Sequence, residues 1–193
     1  MIVDNNSQDD SVAYLRQQDD IVLVENDFNA GFPGGCNIGI KASKKENDIF
    51  LLNNDTKVTP HYVEALERAM DRSEKIFSVS SKMIQMYHPD RLDDAGNYYC
   101  ALGWAYARGK GKDIHTYEKE EKIFASCAGA AIYRKKIFDE LGYFDEEHFA
   151  YLEDMDVGYR ARIYGYENWY APDAMVYHVG SGTSAVSYTH LTL

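Results

Sequence analysis

The hydrophobic positions of the chain fall in short, almost unbroken runs, separated by polar turns and by stretches with helical spacing. Ile2-Val3, Ile21 to Val24, Ile49-Phe50-Leu51-Leu52 and Ile76 to Val79 have the length and density of strands buried on both faces. Between them, Val12 to Gln18, Cys36 to Ser43 and Pro60 to Asp71 repeat at helical spacing. The last is the best signalled. Thr59 stands as N-cap, Pro60 at the first helical position, and Val63, Leu66 and Met70 share a face. Strand alternating with helix predicts an α/β fold with an open, mostly parallel sheet flanked by helices. Between residues 81 and 122 the periodicity fades, which predicts irregular strands and loops walling a cleft. Order returns at Ile123-Phe124-Ala125 and the small-residue stretch Ser126 to Ala131, followed by a helix from Arg134 to Leu141. Another helix follows Glu153, with Leu152, Met155, Tyr159 and Ile163 on one face and Asp156 and Arg160 paired on the outer one. Two short strands, Asn168 to Ala171 and Met175 to His178, close the pattern. No repeat or linker interrupts it, so residues 1–184 read as one domain, with 185–193 as a non-native or disordered tail.

Composition narrows the partners. The 193 residues carry 20 Lys+Arg against 31 Asp+Glu, a formal net charge of −11, which disfavours bulk nucleic-acid binding. An anionic ligand such as a diphosphate would then need a cation to bridge it to the protein, and a divalent metal is the natural candidate. The 16 tyrosines suggest packing or stacking surfaces. Three dispersed cysteines (Cys36, Cys100, Cys127) fit a reducing compartment. The absence of a charged-then-apolar leader and of an apolar run of about 18 residues argues for a cytoplasmic protein, with peripheral association at the inner membrane face left open.

Four polar clusters could carry chemistry. Asn53-Asn54-Asp55 follows the third strand, where ligands bind in open α/β sheets. A carboxylate there can hold a hard cation while an amide bonds a hydroxyl, though Asn and Asp are also ordinary turn formers. Asp4-Asn5-Asn6-Ser7 ends the first strand and reads either as part of the same polar edge or as an Asx-turn. Glu153 and Asp154 open a helix, where acids complement the dipole. Glu153 heads the polar face with Asp156 and Arg160, whereas Asp154 heads a face continued by Val157, Ala161 and Tyr164, so it is aimed at a core or cleft. Asp154 is therefore the candidate general base, with Glu153 as the alternative. His178 ends the last strand before Gly180-Ser181-Gly182-Thr183 and reads as a metal ligand or a satisfied structural histidine. A dinucleotide fingerprint, a phosphate loop, zinc-type spacing and a nucleophile elbow are all missing.

Taken in order, the motifs resemble inverting glycosyltransferases of family two with the GT-A nucleotide-sugar fold, closest in flavour to the rhamnosyltransferase-like group. The resemblance rests on Val3-Asp4-Asn5-Asn6-Ser7, Asn29-Ala30-Gly31-Phe32 to Asn37-Ile38-Gly39 and Leu51-Leu52-Asn53-Asn54-Asp55-Thr56. It continues through Gly129-Ala130-Ala131, Gly142-Tyr143-Phe144-Asp145-Glu146, Tyr151-Leu152-Glu153-Asp154-Met155-Asp156 and Tyr177-His178. It implies transfer of a sugar from dTDP-rhamnose or a UDP-sugar to a glycan or lipid-linked acceptor in bacterial surface polysaccharide synthesis. Asp4 and Asn37, with Asn53 and Asn54, would bind the donor, Asp4 at the nucleobase. Asn53-Asn54-Asp55 stands at the family's Asp-x-Asp motif with Asn53 replacing its first Asp. Asp55 and His178 would hold Mg²⁺ or Mn²⁺, and Asp154 would deprotonate the acceptor. The family's usual first strand and helix are missing upstream of Asp4, so an inactive fragment or binding remnant of the same fold is the alternative. A nucleotidyltransferase is disfavoured because no basic Gly-rich loop opens the chain. Tyr98, Tyr99, Trp104 and Tyr106 suit either sugar stacking in an acceptor cleft or core packing.

Overall fold

The computed structural model describes residues 1–180; Ser181 to Thr183 and the tail lie outside the described residues. The chain alternates strands and helices as its hydrophobic runs predict. The first two strands, β1 (Ile2–Asp4) and β2 (Leu23–Glu25), pair in parallel around the short helix α1 (Ser11–Leu15). Helix α2 (Gly31–Ala42) leads to β3 (Ile49–Leu52) and β4 (Thr56–Val58), and α3 (Tyr62–Met70) to the long strand β5 (Ile76–Gln85). An excursion of β6 (His88–Asp94), β7 (Asn97–Tyr99), β8 (Ala105–Ala107) and β9 (Glu121–Ile123) precedes β10 (Ala130–Tyr133). Helices α4 (Lys135–Leu141) and α5 (Glu153–Ile163) and strand β11 (Glu167–His178) complete the described chain.

The main sheet runs β3-β10-β5-β11-β4, with β6 added to β5 and β9 to β11. Its strand directions correct the expectation of a mostly parallel sheet. Only β5 with β11 is parallel there; β10 runs antiparallel to both β3 and β5, as do β4 and β9 to β11 and β6 to β5. A strand covered on both faces reads as a continuous apolar run whichever way its neighbour points, so hydrophobicity alone could not set the direction.

The strand alternation of β10 shows how the layers form. Ala130 and Ile132 face the cluster built on α3 through Tyr62, Ala65, Leu66, Ala69 and Met70. Ala131 and Tyr133 face the opposite cluster, where Ile40 of α2, Ile137 and Phe138 of α4, and Val157 and Ala161 of α5 pack. Leu66 and Met70 are fully buried. The expected Thr59-Pro60 start of α3 shifts by two residues. Thr59 Oγ1 instead donates to the Met175 carbonyl on β11, and His61 occupies the cap at φ 62°. The two closing strands join as one, with an irregularity between Ala171 and Met175 around Pro172, which has no N–H to give the ladder.

In α5 the buried side is Glu153, Met155, Val157, Gly158 and Ala161, while Tyr159 and Ile163 are exposed. The expected face of Leu152, Met155, Tyr159 and Ile163 is therefore rotated, because Gly158 allows the close approach. A Cβ there would lie 2.5 Å from that of Ala125. The Asp156–Arg160 pair forms as expected, at 2.6 Å, and Arg160 also donates to the carbonyls of Leu141 and Tyr143.

Candidate active site

Asp55, His178 and Asp93 meet where β3, β11 and β6 end. Asp55 lies three residues beyond β3; its backbone carbonyl accepts from Val179, and Asn53 donates its N–H to the Gly129 carbonyl. These bonds fix the turn between β3 and β4 against β11 and β10. The His178 Nδ1–Asp93 Oδ2 distance is 2.7 Å, and His178 Nε2 lies 3.4 Å from Asp55 Oδ1. Asp55 Oδ1 is buried and has no hydrogen-bond partner. Burial works to raise the Asp93 carboxyl, but the His178 hydrogen bond and the Lys110 ammonium outweigh it and hold Asp93 low. The same bond lifts His178 above its ordinary value, against the effect of burial.

An orphaned carboxylate oxygen beside an imidazole nitrogen, the other ring nitrogen being held by a second carboxylate, suits a divalent cation. The described residues bring together no cluster of three or more His, Cys, Asp or Glu side chains able to hold a metal unaided. Two protein donors agree with sites in which substrate phosphates and water complete the shell. Asn54 is exposed at the tip of the turn, and the Asn53 amide lies 3.2 Å from where a Cβ on Gly129 would stand.

Asp154 occupies a second position, at the start of α5. Its Oδ2 accepts from the Ala128 N–H at 3.2 Å and from Asn97 Nδ2 at 3.4 Å, so it joins α5 to β7 and to the loop before β10. Burial raises its carboxyl, against the hydrogen bond from Ala128. Glu153 is the surprise. It lies at 5% exposure with Oε2 buried and unpartnered, not on the polar face. Burial and the neighbouring Asp154 charge raise its pKa as well. The loop before α5 carries Phe149, Tyr151 and Leu152 at positive φ, strain of the kind found beside functional groups. Its Phe149 carbonyl accepts from Phe32 and abuts Gly31, where a Cβ would sit 2.3 Å away.

The Asp4 carboxylate is buried and accepts from the Ser7 N–H three residues on, which closes the turn after β1. Beside it Asn5 binds Asn29 and the Gly31 carbonyl through Nδ2 and accepts from Asn26 and Ala30, which ties the end of β1 to the start of α2. Asn37 departs from the expected donor contact. Its amide bonds both backbone groups of Phe144 and the Glu146 carboxylate, at 2.9 to 3.1 Å, clamping α2 to the segment after α4.

Sequence reasoning missed Asp93 and Asp94. Both are buried, and Asp94, bonded to Gly96 N–H at 2.6 Å, is pushed up to about 7 by burial. The signal was present as Leu92-Asp93-Asp94-Ala95-Gly96, acids framed by small and apolar residues, inside a stretch with no periodicity. The tyrosines divide: Tyr98 stacks on Tyr106, and Tyr99 on Phe124 and Tyr159, all short of full burial.

The structure thus sets acidic strand ends, an Asp–His pair and a desolvated carboxylate at the start of α5 on an α/β sheet. The glycosyl transferase family 2 model matches residues 1–142, and the chain belongs to that family. It is 26% identical over 172 residues to the low-salt glycan biosynthesis hexosyltransferase Agl10 of Haloferax volcanii, covering 84% of this chain and 52% of that one. The fold is also that of GalNAc-T7, solved with UDP, GalNAc and Mn²⁺, at TM-score 0.73, 15% identity, 91% of this chain and 36% of the other. Staphylococcus aureus TarS 1–349 with UDP matches at TM-score 0.59 and 16% identity, over 91% and 49% of the two chains. The chain thus spans about half the length of its curated relative. Among the described residues no helix is long and apolar enough to cross a membrane.

Proposed function

We propose that the chain carries the catalytic domain of an inverting, metal-dependent hexosyltransferase. It would move a sugar from dTDP-rhamnose or a UDP-sugar onto a saccharide acceptor of a bacterial surface polysaccharide. The observation that carries the reading is the buried Asp55 Oδ1, which has no hydrogen bond and lies 3.4 Å from His178 Nε2. Asp55 and His178 would hold Mg²⁺ or Mn²⁺, and Asp93 fixes the His178 ring with its proton on Nδ1. The chemistry such a cation supplies when bound is neutralisation of charge on the departing diphosphate.

The remaining steps belong to side chains of the protein. Asp154, desolvated and raised in pKa, accepts the acceptor hydroxyl proton; Asn97 and the Ala128 N–H orient it. The freed alkoxide attacks the anomeric carbon from the face opposite the leaving diphosphate, forming one glycosidic bond, breaking one C–O bond and inverting the centre. The Asp4 backbone carbonyl and the Asn5 side chain shape the donor side by holding the segment 26–31 against β1. In this account a cation also lets a chain of charge −11 accept an anionic donor. The test is transfer from UDP-glucose, UDP-GlcNAc or dTDP-rhamnose to an oligosaccharide acceptor with Mn²⁺, read by NMR of the product. An inverted linkage from wild type and none from Asp154→Asn is expected. A retained anomeric configuration would overturn the mechanism.

A further inference from the structure

On the outer side of the β7–β8 hairpin lies a cavity of about 500 Å³, a size usual for small-ligand sites. Asn97 points to Asp154, so Tyr98, next along the strand, faces the opposite side and lines this cavity. The cavity is therefore separated from the base by the thickness of one hairpin. Its aromatic wall is the Tyr98–Tyr106 pair, directly opposed in the ladder with centroids 6.0 Å apart, and the Tyr106 ring is 54% exposed.

Its charge is arranged to favour an anion. The one acidic lining residue, Glu121, is paired with buried Arg108, whose guanidinium also bonds the Ala95 carbonyl and lies 4.3 Å from the Tyr117 ring centroid. Two further cations, Lys110 and Lys112, project at the rim. Lys112 Nζ donates to the Tyr117 hydroxyl at 3.1 Å, and Lys110 reaches Asp93 at 3.5 Å. Lys110 thereby joins this cavity to the Asp93–His178–Asp55 cluster.

We propose that this cavity is an acceptor subsite for an acidic saccharide, its ring stacked on Tyr106 and its carboxylate or phosphate held by Lys112 and Lys110. Resting on the glycosyltransferase reading, it would hold a sugar of the acceptor several residues removed from the one that reacts, where the acceptor chain passes round the hairpin to the side away from Asp154. An exposed aromatic face supplies stacking for a sugar's C–H surface, and the ammonium groups discriminate charged from neutral rings.

The experiment is titration of the ¹⁵N-labelled protein with glucose, glucuronate, glucose 6-phosphate and inorganic phosphate, following amides of residues 98–117. Glucuronate or glucose 6-phosphate should bind at least about tenfold more tightly than glucose, and Lys112→Ala and Tyr106→Ala should each remove most of that preference. Whichever acid binds more tightly identifies the source of the charge as a uronic acid or a phosphosugar. Equal binding of glucose, no binding of either acid, or acid binding unchanged in Lys112→Ala overturns the proposal. Inorganic phosphate binding as tightly as glucose 6-phosphate overturns it too, by showing an anion site with no sugar component. UDP binding with Mn²⁺, measured on the same samples, separates the two readings. Its loss with acidic-sugar binding intact would strike the transferase reading alone.

Discussion

Asp93 touches neither donor nor acceptor in this account, so replacing it tests whether the Asp55–His178 pair is built to hold a cation. The His178 and Asp93 side chains are only 14% and 10% exposed, so water is poorly placed to replace the partner. A hydrogen bond to a charged group contributes about 1.5–3 kcal/mol against about 0.5–1.5 for a neutral one. Asp93→Asn, which keeps an acceptor but removes the charge, should therefore weaken Mn²⁺ binding by about 1 kcal/mol, or about five- to tenfold. Asp93→Ala, which frees the ring, should cost about ten- to a hundredfold. Isothermal titration of Mn²⁺ at saturating UDP reads both.

The metal-free protein adds a pH signature. The lowered Asp93 contributes stability present above its unfolded value near ~3.9 and lost as pH falls through its folded value. The raised His178 contributes stability present below ~6.5 and lost as pH rises through its folded value. The melting-temperature gap between wild type and Asp93→Asn should be widest between those limits and narrow on either side. Mn²⁺ affinity unchanged in Asp93→Ala would refute the assignment of His178 as a ligand.

Three further outcomes follow from the geometry. Asp154→Asn should retain UDP binding and lose about 10²–10⁴ in kcat, and the acid limb of the wild-type pH profile should lie above the usual carboxylate range because burial raises that group. The sign follows from the base acting as its anion, so activity falls as pH drops through the raised value. Asn37→Ala strips the buried Phe144 backbone of its partners and should cost about 1–3 kcal/mol per group left unsatisfied in chemical denaturation, with UDP affinity unchanged at low temperature. Gly158→Val forces a side chain onto Ala125 and should lower stability by about 1–3 kcal/mol, seen as a lower urea midpoint.

What was legible in the sequence follows from where periodicity is strong. The runs at Ile2, Ile49 and Ile76 form strands, and Leu66 and Met70 mark the buried face of α3. Of these strands only β5 is buried on both faces. Ile2, Phe50, Leu52 and Val63 are exposed, because β1 and β3 are covered on one side only and the α3 face is set by Tyr62, Ala65 and Ala69 as well. The places of Asp55 just beyond β3, of His178 at the end of β11 and of Asp154 at the start of α5 were readable because each follows, ends or opens a well-marked element. Strand direction was not readable, since β10 enters between β3 and β5 through pairings of residues some 50 to 80 positions apart. Asp93 and Asp94 were hidden in an aperiodic stretch whose partners lie on β11 and α5. Asn37 entered as a donor contact through the resemblance alone. Only the fold shows that the partner is the Phe144 backbone.

The central claim is that Asp55 and His178 form the donor site together with a divalent cation. The most direct test is the melting temperature of the chain with UDP and with dTDP, each with and without Mn²⁺, in wild type and Asp55→Ala. Ligand at about 100 times its dissociation constant should add roughly 2.7 kcal/mol, seen as a rise only when nucleotide and Mn²⁺ are both present and only in the wild type. A rise with nucleotide that needs no metal, or one that survives Asp55→Ala, would contradict the account.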